Sequence, residues 1–477
     1  MQRSLNHEWI FPRRSIFLDQ PGKLASANFR TLQKSDGNNV AASSTAFAKA
    51  GSPIVREKMK ILALTNLYPP HYLGGYELIC HMVVNELRAR GHQVQVLTSN
   101  HVLQGKPAGT DQGVERSLRI HGFYGHPWLN IAKLQQLETH NNRALLAAIN
   151  KHKPDLVYVW NMGGLSKSMV LTLQKLGIPT VYYLSDHWIA RGFTSDVWLN
   201  WWNGPASPTK KALRSIARWA GGRSYLNRVA PTNPSSHLCF QRLYFCSKAL
   251  RKLTASAGFE VMHGAVIYCP VDIQKFSASP KPDAAPLRSF VWVGRLAQDK
   301  GVMTALKAMH HVQRKFSGEL HIYGKGDAPY TAELTGFVRQ HQLPVTFSSA
   351  GSDEMPEIYR KHDALLFTSE WAEPFALTPL EAMASGLPVI GTTTGGSREI
   401  FRHRDNALTY TAGNAEELAE RIVELASSPS LRARLAETGR AEVRANYSLP
   451  TIVNQIENYL RETVSTWSPP GLPHYAA

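Results

Sequence analysis

The sequence lacks any apolar stretch long enough to cross a bilayer, and it contains few cysteines. Of its 477 residues 43% are hydrophobic, but no run approaches the ~20 apolar residues of a membrane-spanning helix. No apolar segment of signal-peptide type follows the first basic residues, so we expect no secretory leader. The four cysteines form no Cys-x-x-Cys pair and have no histidine at zinc spacing. This pattern predicts small buried thiols in a reducing compartment, and hence a cytoplasmic protein.

Acidic residues are absent from one long segment. Between Val197 and Phe259 there are ten Lys or Arg and no Asp or Glu. The net charge of +17 is uneven: residues 59–280 carry 24 Lys and Arg against 10 acids, whereas residues 281–477 carry 20 against 22. This asymmetry predicts an anionic partner for the first half, and we hypothesise a peripheral position at the inner face of the membrane. Because no RNA- or DNA-binding motif is present, we expect no nucleic-acid partner.

One segment of this basic region has the pattern of an amphipathic helix. Residues 209–223 place Leu213, Ile216, Ala217 and Ala220 on one face and most of the cations elsewhere. Three tryptophans precede them, namely Trp198, Trp201 and Trp202. Basic amphipathic helices with aromatic anchors bind anionic membrane surfaces. The alternative is a solvated basic helix that packs on its own domain.

Residues 1–58 show no sustained apolar period and are rich in Ser, Ala, Asn and Arg. This composition predicts a disordered extension. Its arginines and few acids resemble a transit peptide. The alternative that we favour is that Met59 is the natural start, because a strand-like run begins directly after it.

From Met59 onward, short apolar runs alternate with segments of helical period, which predicts parallel β-α-β units. The expected strands are Lys60–Leu64, Val94–Leu97, Leu156–Trp160, Thr180–Leu184, Val266–Tyr268, Phe290–Val293, Leu320–Tyr323, Val345–Phe347, Ala364–Phe367 and Pro388–Gly391. A Pro- and Ala-rich segment, 276–287, interrupts the alternation as a linker.

We therefore predict an α/β protein with two Rossmann-like, doubly wound parallel-sheet domains that face a cleft. The first spans 59–280 and the second 281–448, followed by a helix at 449–464 and a tail at 465–477. Ligands of such sheets lie at the carboxyl ends of the strands. The chemistry is therefore expected in the loops that directly follow strands.

The densest motif follows the expected strand Ala364–Phe367 and reads EPFALTPLEAMASGLPVIGTTTGGSRE. We expect a helix with Thr378 as its N-cap, Pro379 in the first helical position and Glu381 in the capping-box position. A carboxylate in the first turn can accept hydrogen bonds from two ribose hydroxyls. The alternative for Glu381 is a plain capping box.

The loop before this helix offers the backbone N–H groups of Phe375, Ala376 and Leu377. Together with a helix N-terminus, such amides are a natural site for phosphate oxygens. Glu373 lies in the same loop, where the alternative is a solvated acid.

With seven residues between Glu373 and Glu381, then Gly-x-Pro-Val and Gly-Gly-x-x-Glu, this segment resembles the retaining glycosyltransferases of the GT-B fold, group 1 or family 4. The resemblance covers roughly residues 59–463. It implies that Glu373 faces the transferred sugar and that Glu381 binds the ribose of a nucleotide-sugar donor.

Two cations follow another strand, in the sequence Val-Gly-Arg295-Leu-Ala-Gln-Asp-Lys300-Gly. Two fixed cations at a strand end can clamp a diphosphate and stabilise the leaving nucleotide. The segment is similar to the donor clamp of the same family, whereas a lysine beside a glycine is otherwise common in surface turns.

Glycines after two other strands allow close approach of the backbone to a ligand. Gly74-Gly75 ends a Tyr-Pro-Pro segment that is similar to the family's loop near the diphosphate and the reacting sugar. Gly324 is its counterpart in the second domain, where we expect contact with the nucleotide. Tight turns are the alternative for both.

Asp186 and His187 follow the strand Thr180–Leu184. Relatives often carry a His-Asp pair here, with the histidine near the sugar, but in this chain Ser185 takes the histidine position. Either His187 supplies the polar group through a shifted loop, or the role is altered. A surface loop with a packed Trp188 is the structural alternative.

The resemblance implies transfer of a hexose-type sugar, with retention, to a glycan or lipid-linked acceptor. No Asp-x-Asp occurs in the chain, so we expect no metal and no cofactor beyond the nucleotide sugar as co-substrate. A non-catalytic binding protein of the same fold is the main alternative. A glycoside hydrolase with paired carboxylates is another, although a cationic clamp has no purpose there.

Overall fold

The computed structural model describes residues 58–469 except 108, 110, 121–129, 194–195, 220–221 and 278–285. The chain divides after Glu57, and all described residues belong to the unit that starts at Lys58. The predictions of a disordered extension before Met59, of most of the linker and of the end of the tail fall outside these residues.

The first half contains a parallel sheet of seven strands in the order β3-β2-β1-β4-β5-β6-β7. The strands are β1 (Lys60–Leu64), β2 (Gln93–Ser99), β3 (Val114–Leu118), β4 (Leu156–Val159), β5 (Thr180–Leu184), β6 (Leu243–Phe245) and β7 (Ala265–Val266). Strands β1, β4, β5 and β6 are almost wholly buried. Such burial explains their continuous apolar runs, since a parallel sheet is covered on both faces.

Helices connect these strands, as the alternation of the sequence predicts. They are α1 (Gly75–Ala89), α2 (Ile131–His152), α3 (Ser168–Leu176), α4 (Trp188–Gly192), α5 (Val197–Asn203), α6 (Pro208–Trp219), α7 (Gly222–Val229) and α8 (Lys248–Ser256). Four of them, α4 to α7, lie between β5 and β6. The acid-free region of the sequence is therefore largely an insertion of helices at that point.

The second half repeats the architecture with six parallel strands in the order β10-β9-β8-β11-β12-β13. The strands are β8 (Ser289–Val293), β9 (Glu319–Tyr323), β10 (Val345–Ser348), β11 (Ala364–Phe367), β12 (Val389–Thr392) and β13 (Leu408–Tyr410). The helices are α9 (Val302–Val312), α10 (Ala328–Gln340), α11 (Met355–Lys361), α12 (Leu377–Ala384), α13 (Ala415–Ser427), α14 (Pro429–Asn446) and α15 (Leu449–Thr466).

The strand order fixes where a ligand is expected. In the first sheet β1 pairs with both β2 and β4, and in the second β8 pairs with both β9 and β11. The connections therefore diverge at β1/β4 and at β8/β11, which is where open α/β sheets bind ligands. The loops after β1, β5, β8 and β11 carry the polar motifs of the sequence.

The last helix returns to the first domain. Glu457 of α15 lies 3.0 Å from the Arg90 guanidinium, and the hydroxyl of Tyr459 donates to the backbone oxygen of Leu243 at 3.0 Å. The helix ends at Thr466, two residues beyond the predicted end.

Several expectations are corrected by the structure. Strands β3, β6 and β13 were not predicted; β6 and β13 have only three residues each, and the residues of the edge strand β3 are mostly half-exposed. Helix α12 begins at Leu377 and no side chain caps it. Thr378 is therefore not the N-cap, and Glu381 lies in the second turn rather than in a capping box. Of the four thiols Cys239 is exposed, whereas the other three are buried.

Candidate functional site

Lys300 and Glu373 are in direct contact at the carboxyl edge of the second sheet. The ammonium group of Lys300 donates to the Glu373 carboxylate, which also accepts a hydrogen bond of 2.8 Å from the Ser369 hydroxyl. Glu373 is a buried residue. The acid is therefore held in place and is not solvated, and the loop after β8 meets the loop after β11 at this contact.

Backbone contacts hold the two loops together. The Thr368 hydroxyl donates to the backbone oxygen of Lys300 at 2.8 Å, and the Glu370 amide donates to the oxygen of Asp299 at 2.9 Å. Gly301 has φ +65° and a side chain there would meet the backbone oxygen of Thr368. Only glycine fits this position without strain, because the left-handed conformation and the close approach coincide.

The loop that follows β12 also contacts Glu373. The amide of Gly396 donates to the backbone oxygen of Glu373 at 2.7 Å, and a side chain at Gly395 would meet the same oxygen. Glu399, three residues on, accepts hydrogen bonds from the amides of Lys248 and Ala249 at the start of α8 in the first domain. The Gly-Gly-x-x-Glu segment thus packs against the backbone of Glu373 and links the two domains.

Arg295 lies outside the Lys300–Glu373 contact. Its guanidinium is 3.8 Å from the carboxylate of Asp299, and 62% of its side chain is exposed. Gly324 packs directly against the backbone oxygen of Gly294, so these two loops meet beside Arg295. Of the two cations predicted to form a clamp, Lys300 is therefore paired with a buried acid and Arg295 is exposed.

Glu381 also lies apart from that contact, on α12. Its carboxylate accepts a hydrogen bond of 3.1 Å from the hydroxyl of Tyr359 on α11. Burial raises the pKa of Glu381 to about 7, and the Tyr359 hydrogen bond and the Lys275 charge only partly offset it. A partly buried carboxyl group on the helix after β11 whose pKa is raised is a candidate for ligand binding.

The glycine loop of the first domain faces the start of α12. A β-carbon at Gly75 would lie 2.5 Å from Cδ1 of Leu377, whereas one at Gly74 would meet nothing within 4 Å. The Gly74 amide donates to the buried carboxylate of Glu77, which also accepts from the Asn161 side chain, both at 3.0 Å. Gly75 thus lies against the Leu377 side chain of the second domain, and Gly74 borders open space.

Phe375 and Ala376 are buried beside this contact. The Phe375 ring stacks on Tyr268 of the first domain at 5.4 Å between centroids. The backbone of the loop is therefore fixed from the opposite domain. The amides of Phe375, Ala376 and Leu377 lie at a helix start that no side chain caps.

His187 and Asp186 differ in what they contact. Asp186 accepts a hydrogen bond of 2.9 Å from the Trp188 amide, so it fixes the loop, and burial raises its pKa to about 6. The His187 ring is 5.7 Å from that of Trp371, across the cleft. Ser185 lies 3.9 Å from the Cys269 sulfur. His187 therefore lies beside the second domain.

Trp371 was missed by the sequence reasoning, although it stands two residues before Glu373. The Lys300 ammonium lies 5.3 Å from its ring centroid. Its indole nitrogen and both ring nitrogens of His187 are buried without a hydrogen-bond partner among the described residues. Burial and the Arg191 charge lower the pKa of His187 to about 4, so the imidazole is neutral at physiological pH. Buried polar groups without a protein partner beside a cleft mark a candidate position for a polar ligand or an ordered water.

Within the described part of the chain, no three His, Cys, Asp or Glu side chains are grouped so as to hold a metal ion. In the same residues no helix is both long and apolar enough to span a bilayer.

Two family models match adjacent parts of the chain. The model described as Glycosyltransferase Family 4 matches residues 73–275, and that described as Glycosyl transferases group 1 matches residues 277–442.

Curated relatives match at low identity. An uncharacterized glycosyltransferase of Methanocaldococcus jannaschii is 27% identical over 36% of this chain and 44% of its own length. Spore coat protein SA of Bacillus subtilis is 29% identical over 35% of this chain and 46% of its own length. The chain thus spans less than half the length of these two relatives. A glycogen synthase of Mycobacterium tuberculosis is 24% identical over 83% of this chain and 92% of that enzyme.

Among solved structures, Anabaena HepE in complex with UDP and glucose superposes with a TM-score of 0.58 at 22% identity. The superposition covers 85% of this chain and 100% of that chain. The likeness is one of fold, with two Rossmann-like domains on either side of a cleft. Together, the two adjacent family matches and the shared architecture show that the chain belongs to the group 1 glycosyltransferases of the GT-B fold.

Proposed function

We propose that this chain transfers a hexose-type sugar from a nucleoside diphosphate sugar to a hydroxyl group of a glycan or lipid-linked acceptor. The observation that carries the proposal is the contact of Lys300 with Glu373 beside the unpartnered nitrogens of His187 and Trp371. A cation, a fixed carboxylate and neutral donors at one strand edge fit a sugar that is joined to a diphosphate.

The donor is held by complementary charges in this proposal. Lys300 and Arg295 contact the diphosphate, together with the free amides at the start of α12. Glu381 accepts hydrogen bonds from the ribose hydroxyls. The complex of HepE with UDP and glucose supports a nucleoside diphosphate as the ligand class, and UDP is the first nucleotide to test.

The reaction that we propose proceeds with retention. The bond between the anomeric carbon and the phosphate oxygen breaks, and the electron pair stays with the phosphate. The acceptor oxygen attacks the same face, and its proton passes to the departing phosphate oxygen. Lys300 stabilises the negative charge on the leaving diphosphate. Glu373 and His187 orient the sugar hydroxyls, and no metal or cofactor takes part.

Release of nucleoside diphosphate from a panel of UDP-, GDP- and ADP-sugars tests the proposal. We expect one donor class to be turned over, and Lys300→Met to lower that turnover by about a hundredfold or more. Lys307→Met, which removes an exposed lysine from α9, is the matched control and should behave as wild type. Release that is equal in both variants would refute the role of Lys300.

The stereochemistry and the alternatives have their own readouts. NMR of the first product distinguishes retention from inversion at the anomeric carbon. Tight binding of a nucleotide sugar without release of the diphosphate would favour a non-catalytic binding protein. Hydrolysis of a simple glycoside without a nucleotide would favour a glycoside hydrolase.

A further inference from the structure

Helix α6 turns its apolar side chains toward the solvent. Leu213 is 57% exposed, Ile216 62% and Trp219 91%. They are spaced by three residues along the helix, so they lie along one side of it. A surface helix of a globular protein buries this face. Leu213 and Ile216 therefore take no part in the packing of this helix on its domain.

A buried arginine holds the helix in this orientation. Arg214 is 8% exposed. Its guanidinium donates to the backbone oxygens of Trp201 at 2.6 Å and Gly204 at 2.9 Å, at the end of α5. These charge-assisted hydrogen bonds fix the polar side of α6 against the protein. The apolar side is therefore presented outward by a specific contact.

The tryptophans of the neighbouring helix do not belong to this outward face. Trp198 and Trp202 are buried in the core of the first domain, and the indole N–H of Trp198 donates to the Pro231 oxygen at 2.9 Å. The expectation that they are membrane anchors is wrong, since their aromatic surface is already used in packing. Of Trp198, Trp201, Trp202 and Trp219, only Trp219 is fully exposed to solvent.

Exposed cations occur on the same pair of helices. Lys211 is exposed on α6, and Arg228 is exposed on α7. Helix α7 packs against α6 and adds Tyr225, which is 54% exposed. The sequence has no acid from Val197 to Phe259, so no carboxylate of this segment neutralises the cations.

We propose that this surface, defined by Leu213, Ile216, Trp219 and Tyr225 with Lys211 and Arg228, docks on an anionic lipid bilayer. Leu, Ile, Trp and Tyr side chains on one side of a basic helix insert at the interface of head groups and acyl chains, while the cations contact anionic head groups. A nucleic acid would match the charge but leave the three apolar side chains of α6 unburied. The inference does not depend on the proposed enzymatic activity.

Co-sedimentation with vesicles tests the proposal without any substrate. The full chain is mixed with vesicles of phosphatidylcholine containing phosphatidylglycerol, and with vesicles of phosphatidylcholine alone, at physiological salt. We expect binding to the anionic vesicles only. The double variant Ile216→Ser/Trp219→Ser should lower binding by about tenfold or more, because both side chains are already exposed in the folded protein. Lys211→Glu should lower it by roughly fivefold for each unit of charge that is removed.

Matched controls separate docking from general effects. Leu176→Ser removes another exposed apolar side chain of the same domain, and Lys307→Glu reverses an exposed charge in the second domain. Both should bind vesicles as wild type does, and the melting temperatures of all variants should agree. Failure of wild type to bind anionic vesicles, or equal binding by the double variant, overturns the proposal. The proposal is also overturned if the wild-type protein does not bind vesicles but binds RNA or an acidic protein, and if this binding persists in the double variant Ile216→Ser/Trp219→Ser.

Discussion

Replacing Glu381 by Gln should weaken nucleotide binding and stabilise the unliganded protein at the same time. The ordinary pKa of this carboxyl group is 4.5, and in the folded chain it is raised to about 7. The folded protein therefore binds the proton more tightly than the unfolded chain does. The free energy of unfolding consequently falls as pH rises from about 4.5 to about 7. Above that range the whole cost of ionising Glu381 in the folded protein is present.

The size of the penalty follows from the shift. Each pKa unit corresponds to about 1.4 kcal/mol, so the ionised Glu381 costs up to about 3 kcal/mol at pH 8. Glutamine keeps an oxygen that accepts the Tyr359 hydrogen bond, but it never ionises. Glu381→Gln should therefore melt several degrees above wild type at pH 8, and the difference should vanish near pH 4.5.

Binding should change in the opposite direction. A carboxylate with a pKa of about 7 is ionised to about one tenth at pH 6 and to about nine tenths at pH 8. If ionised Glu381 holds the ribose, the dissociation constant of UDP or GDP falls about tenfold over this range. Glu381→Gln should bind about ten- to a hundredfold more weakly at pH 8 and should lack this part of the pH dependence.

Calorimetric titration and thermal melting at pH 6, 7 and 8 measure both effects. The phosphate groups of the nucleotide also titrate, but equally for both proteins, so the difference between wild type and variant isolates Glu381. Glu333→Gln, at an exposed acid on α10, is the control and should change neither quantity. The same pH slope of affinity in wild type and Glu381→Gln would refute the ribose assignment.

Three further outcomes are expected. Gly75→Ala should change the melting temperature of the unliganded protein little, because the atom that its β-carbon would meet at 2.5 Å is Cδ1, the far end of the flexible Leu377 side chain. Gly74→Ala should also leave the melting temperature unchanged but should weaken donor binding, since Gly74 borders open space. Gly301→Ala should destabilise the protein by about 1–3 kcal/mol in a denaturant titration, because both its positive φ and its contact with Thr368 exclude a side chain. Initial rates of transfer should be the same with and without EDTA, and a rate restored only by Mg²⁺ or Mn²⁺ would contradict the metal-free reaction.

The central strands could be predicted from the sequence because a parallel sheet with both faces covered needs continuous apolar runs. Lys60–Leu64, Thr180–Leu184 and Ala364–Phe367 have the predicted bounds. The edge strand Val114–Leu118 could not be predicted. Its residues are mostly half-exposed, so the sequence shows no apolar run there. The predicted start of α12 was one residue too late, because Thr378-Pro379 has the sequence pattern of a helix cap. In the structure the helix already begins at Leu377, where the loop packs against Gly75 and Tyr268.

By itself the sequence determined the repeated α/β architecture, the loops that carry polar groups and the family resemblance, since these depend on local pattern and on spacing along the chain. Only the tertiary structure decided which groups meet: Lys300 with Glu373, His187 with Trp371, and Glu381 with Tyr359. It also decided that Arg214 is buried and that Trp219 is exposed. A helical period shows which side chains share a face, but the neighbouring helices decide which face is covered.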